Sequence, residues 1–158
     1  MKSELQAELK HSYPKLFRAH GLRYFVADET APDTAELVSN FGPIDERGIE
    51  CDDGWFELVN RLSAACEKEI DAMAAAGVAT EYWPRVVQIK EKFGTLRFYV
   101  RGSLSEALRA EILHAEEVDS AQICERCGAP GHLRSDAWRR TWCDACETAN
   151  DKWCGTSA

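Results

Sequence analysis

"RVVQIKEKFGTLRFYVR", residues 85–101, decides the fold class. Val87, Ile89, Leu96, Phe98 and Val100 alternate with Gln88, Lys90, Arg97, Tyr99 and Arg101. A period of two is the signature of a strand with one buried face, and Gly94 divides the run in the middle. The reading is an antiparallel hairpin. Its inner face is aliphatic and aromatic, and its outer face is basic and carries one tyrosine.

The cover for that inner face lies upstream, in "DDGWFELVNRLSAACEKEIDAMAAAG" (52–77). Trp55, Val59, Leu62, Cys66, Ile70 and Met73 recur at steps of three and four, which lines them along one side of a helix over 54–76. Asp52 or Asp53 is placed to cap it and Gly77 to end it. Cys66 on this stripe reads as a small buried hydrophobe. A first helix is expected near 4–12, with "SELQ" as a capping box of Ser3 and Gln6, then a turn to about residue 19. A second box, "SLSE" at 103–106, predicts a helix over 104–118 with Leu104, Leu108, Ile112 and Ala115 inward. Residues 28–53 are acidic and rich in Gly, Pro and Asp, and read as a loop with one short helix opened by Asp33 and Glu36. Helices on a small antiparallel sheet make the fold class α+β.

Downstream, "CERCGAPGHLRSDAWRRTWCDAC" (124–146) holds Cys124/Cys127 and Cys143/Cys146, two Cys-x-x-Cys pairs with fifteen residues between them. This is the spacing of a structural zinc site. Each pair can turn tightly enough to aim two sulfurs at one point, and two such turns complete a tetrahedron. The strand-like "AWRRTW" can form the ribbon that brings the turns together. A redox pair lacks its strand–helix context here, and His132 is not needed as a ligand when four cysteines are present. One Zn²⁺ per chain is expected. Four sulfurs leave no open position for water or substrate, so the ion is expected to be structural. The division that follows is an α+β domain over 1–120 with a zinc-ribbon-like module over 121–158 packed on it. Cys51 and Cys154 are left over.

The 158 residues carry a net charge of −8, unevenly spread. Residues 28–53 hold nine acids and one base; residues 85–101 hold five bases and one acid. An acidic chain does not coat nucleic acid indiscriminately, although a local basic face can bind it. No apolar run reaches the ~20 residues of a membrane span. The charged start "MKSELQAELKHSYPK" lacks a signal-peptide core. The expected setting is the cytoplasm, where disulfides are disfavoured.

"GIECDDGWFELVNRL", "VVQIKEKFGTLRFYV", "CERCGAPGHLR" and "TWCDAC" together resemble an uncharacterised family of small bacterial and phage proteins, over roughly residues 40–146. In that family the last ligand position is often His; here it is Cys146. The resemblance implies an α+β fold with a zinc ribbon and a prokaryotic or phage setting. It carries over no catalytic residue and no activity.

Enzyme motifs are scarce. The sequence has no phosphate-binding Lys-Ser/Thr loop, no His-Glu-x-x-His and no Gly-x-Ser-x-Gly. His114 and Glu117 share a helix face and read as a solvated pair. The one catalytic reading is a Mg²⁺-dependent nuclease, with Asp52 and Asp53 as metal ligands and Gln88-x-Lys90 on the strand. Binding readings have more support. Lys90, Lys92, Arg97, Tyr99 and Arg101 set cations beside a ring, as single-stranded nucleic acid requires, though an exposed strand face also needs charge for solubility. Arg134, Trp138, Arg139 and Arg140 at the ribbon tip are of the types that anchor protein interfaces, while Trp138 could instead pack beneath the metal turns. The expected function is a non-catalytic, zinc-stabilised binding protein with a protein partner, no membrane association, and an accessory or inhibitory role in a bacterial or phage setting. Single-stranded nucleic-acid binding and the nuclease are the alternatives.

Overall fold

A computed structural model describes residues 1–18, 24–26, 36–38, 43–134 and 138–154. Helix α1 (Ser3–Ser12) is followed by a short antiparallel pair, β1 (Tyr24–Val26) with β2 (Glu36–Val38). Then come α2 (Pro43–Arg47), β3 (Ile49–Glu50), and a 3-10 turn, Asp53–Trp55, that runs into α3 (Phe56–Ala75). Strands β4 (Arg85–Lys92) and β5 (Thr95–Arg101) form the hairpin, and α4 (Glu106–His114) continues as a π turn and a 3-10 turn to Gln122. The chain closes with β6 (His132–Arg134), β7 (Arg140–Trp142) and α5 (Asp144–Cys154). This is an α+β fold. Among the described residues, no helix is long and apolar enough to cross a membrane.

The α3 stripe forms the core as its spacing requires: Trp55, Val59, Leu62, Cys66 and Ile70 are all buried, with Met73 partly so at the fraying end. Neither Asp52 nor Asp53 caps its start through a side-chain hydrogen bond, Asp53 being taken by Lys2, but the helix ends where expected. Gly77 takes φ +72°, its amide donates to the Ala74 carbonyl, and the Val78 amide reaches back to Met73, which satisfies the last carbonyls. Ile89, Leu96 and Phe98 of the hairpin belong to the same buried cluster. Leu62→Ala is expected to lower unfolding stability by about 2–5 kcal/mol in a denaturant titration, since Leu62 is fully enclosed. A loss under about 0.5 kcal/mol would contradict its place in the core.

Four further expectations are corrected. Val86, not Val87, is the buried residue at the start of β4, because a bulge between Val86 and Gln88 shifts the alternation by one. The Ser3–Gln6 box does not form: Lys2 is the cap residue, and the Gln6 amide group joins the Met1 carbonyl to the Ile49 amide instead. Ser105 rather than Ser103 caps α4, its hydroxyl accepting from the Leu108 amide. Glu36 stands in strand β2 rather than in a helix, while Asp33 lies outside the described residues.

The hairpin is the larger part of a three-stranded sheet ordered β3-β4-β5, with β3 parallel to β4. Its outer edge, β5, is closed by side chains. The Leu96 amide donates to the Ser120 hydroxyl, and the Phe98 amide donates to the Glu116 carboxylate. The π turn Ala115–Asp119 widens the end of α4 where these two side chains reach the strand.

Candidate metal centre and exposed hairpin residues

The C-terminal segment is hung on backbone bonds. At the first Cys pair the Cys124 amide donates to the Ala129 carbonyl, and the Gly128 amide donates back to Cys124, giving a tight turn. The second pair straddles the start of α5. The Cys146 amide donates to the Cys143 sulfur, as an N-terminal helix amide does to a capping group. Between the two pairs, β6 and β7 run antiparallel with His132 opposite Trp142 and Arg134 opposite Arg140. Strand-like alternation in "AWRRTW" anticipated β7; helix α5 was not anticipated.

The four sulfurs of Cys124, Cys127, Cys143 and Cys146 lie within 4.8 Å of one another. Those of Cys127 and Cys143, one from each pair, are 3.7 Å apart. Four thiolates at about 2.3 Å from one ion form a tetrahedron with edges of about 3.8 Å, whereas a disulfide would need about 2.05 Å. The donors therefore fit a tetrahedral ion. Cys124 is buried and Cys127 faces outward. The Cys146 amide draws the Cys143 thiol down to about 7, while burial, followed by the neighbouring thiols, pushes Cys146 up to about 12. Four thiolates this close repel one another, and a cation lets all four lose their protons together. His132 is not part of the group. Among the described residues these cysteines are the only set of three or more metal-donating side chains held together.

The segment docks on the rest of the fold through the first Cys turn. The Gly54 amide donates to the Glu125 carbonyl at 2.7 Å, the Trp55 indole to the Ile123 carbonyl at 2.8 Å, and the Asp52 amide to the Glu125 carboxylate at 3.1 Å. Burial above all raises the Glu125 carboxyl to about 7. A second seam joins the two hairpins, where the Thr141 hydroxyl donates to the Gly94 carbonyl at 2.6 Å. Glu125, Gly54 and Thr141 were not singled out from the sequence. Their roles depend on contacts between segments far apart in the chain.

The candidate partner residues divide into two groups. Arg134 is held by the Trp142 carbonyl and Asp144. Arg140 pairs with Glu147 at 3.0 Å and stacks over the Trp142 ring at 4.3 Å; Arg126 stacks on the same ring at 4.9 Å. These contacts brace α5 against the β6–β7 hairpin. Trp138 and Arg139 face outward, and Trp138, 73% exposed, does not pack beneath the metal turns. On the outer face of β4–β5, Lys90 lies 5.9 Å above the Tyr99 ring, Arg97 bonds to Thr95 and the Leu96 carbonyl, and Arg101 is exposed. Lys92 sits 5.4 Å above the Phe93 ring at the turn. Of the nuclease candidates, Asp53 is engaged by the amide and ammonium of Lys2, and Gln88 donates to Glu50.

Fold and site together define a small α+β protein whose C-terminal segment carries four cysteines positioned for a metal ion. No protein-family model, curated protein or solved structure matches the chain.

Proposed function

We propose that this chain is a small zinc-stabilised protein that acts by binding another protein and has no reaction of its own. The all-thiolate donor set and its tetrahedral spacing favour Zn²⁺ among common cellular ions. A four-sulfur set around one ion leaves no site for water or substrate, so the ion's role is structural. The observation that carries the binding reading is Trp138, a large apolar side chain held in solvent beside a metal-braced hairpin. Exposed tryptophan and arginine are the residue types that anchor interfaces. The accessory or inhibitory role expected from the sequence resemblance is part of this proposal.

Two measurements test this. Elemental analysis of freshly purified protein should find one zinc per chain. A pull-down from the source cells should retain a protein partner after nuclease treatment and lose it with Trp138→Ala. Recovery of nucleic acid alone would replace this reading with the second one, single-strand binding on the outer hairpin face, which the Lys90–Tyr99 stack favours. In that case filter binding of oligo(dT) should weaken steeply with salt.

A further inference from the structure

The β4–β5 turn breaks a local rule. Lys92 pairs with Thr95, so Phe93 and Gly94 form a two-residue loop, and both have positive φ, 56° and 82°. That combination belongs to a turn in which Asn-Gly or Asp-Gly is the favoured pair. A bulky residue in left-handed backbone is an outlier, and this one gains no burial in return, since Phe93 is 63% exposed. Residues held in such strained backbone cluster at functional sites.

The surroundings of Phe93 point to the function. Adjacent Gly94 abuts the second hairpin so closely that an added Cβ would lie 2.3 Å from Leu133 Cδ1 and 3.2 Å from the Arg140 amide. Leu133 is itself 43% exposed, and exposed Trp138 lies two residues before Arg140 in the same hairpin. Exposed Leu133 thus lies against the β4–β5 turn that carries Phe93, and Trp138 is close to that contact along the chain. Lys92 and exposed Arg139 add positive charge, and Glu91, beside Lys92 in the chain, has its carboxylate turned onto the Gly94 amide.

We propose that this composite patch of Phe93, Leu133 and Trp138, flanked by Lys92 and Arg139, docks a protein segment carrying a large apolar anchor between acidic residues. The proposal rests on the protein-binding reading above and deepens it. Leu133 offers no ring for base stacking, and the net charge of −8 opposes a continuous phosphate backbone more than a partner whose acids are confined to a rim. Phe93 and Lys92 belong to the β4–β5 turn and Leu133, Trp138 and Arg139 to the β6–β7 hairpin, so the patch exists only while the two are held together.

A random peptide library displayed on phage and panned against the zinc-loaded full chain tests this. Selected peptides should carry a large apolar residue flanked by Asp or Glu. Their affinity should fall at least tenfold with Phe93→Asn and with Trp138→Ala, and severalfold with Lys92→Glu. Phe93→Asn should meanwhile keep or raise the thermal midpoint, because Asn suits the turn; loss of binding without loss of fold separates docking from a structural role. An absence of enriched peptides, or enriched peptides indifferent to both Phe93→Asn and Trp138→Ala, would overturn the patch. If the protein captured in the pull-down also survives both substitutions, protein binding stands and only the patch fails. Binding of oligo(dT) in place of any peptide would remove both.

Discussion

Gly54→Ala is expected to detach the C-terminal segment from α3. A Cβ at this position would lie 2.2 Å from the Cys124 carbonyl oxygen, 2.5 Å from that of Glu125 and 2.5 Å from the Gly128 amide nitrogen. All three are backbone atoms of the first Cys turn, so no side chain can rotate away. Either the turn opens, which pulls Cys124 and Cys127 off their common point, or the segment lifts and breaks the bond from Gly54 to Glu125. The loss should be about 3 kcal/mol, the upper end of overpacking costs. Limited proteolysis should cut the variant between residues 122 and 154 where the parent protein resists. A variant that keeps the parental midpoint and protease pattern would show that the close approach of Gly54 to the turn is wrong.

Removing the ion, or one of its ligands, should have a larger effect. Zinc-binding energies in small modules are on the order of 10 kcal/mol and appear as folding energy. Among the described side chains from Cys124 to Asn150, few apolar ones are buried, Cys124 itself being one of them. Cys124→Ser should therefore release the ion, unfold β6, β7 and α5, and leave α3 and the sheet folded. Alkylation reads this directly. With iodoacetamide at pH 8, the metal-loaded protein should protect all four ligand cysteines, and a strong chelator should expose Cys124, Cys127, Cys143 and Cys146. Cys51 and Cys66 should stay unlabelled in both cases, since burial pushes each thiol up to about 12 and shields it from reagent. Equal labelling with and without chelator would refute a metal role for the cysteines.

Much of the fold was legible because its signals are local and periodic. The α3 stripe and the β4–β5 alternation each repeat over several residues, so tertiary context had little room to override them. The Cys spacing was legible for a similar reason: a donor set announces itself by residue type as well as by position. Errors fell where one residue's environment decides. The bulge at Val86–Gln88 moves a single side chain from one face to the other. Capping by Ser105 rather than Ser103 shifts the helix start by two residues, as the Ser105 amide and hydroxyl find Glu69 on α3. Arg134, Arg139 and Arg140 look equivalent in sequence, yet α5, which was not anticipated, supplies Asp144 and Glu147 and engages two of them. Phe93 escaped notice because in a one-dimensional reading it is simply the last residue before a turn glycine; only its positive φ marks it as unusual.

The side chains that close β5 also govern how the molecule can grow. A strand edge with free amides is a template on which an extended chain from any source can add itself, and native sheets usually guard it. Here two of the donors such a visitor would need are already bonded to Ser120 and Glu116 from within the same chain. The three-stranded sheet is thus a terminated lattice along β5: it cannot recruit a further strand there without first displacing its own helix end. Stray polymerisation along that edge is disfavoured, because two of its main-chain donors are already taken.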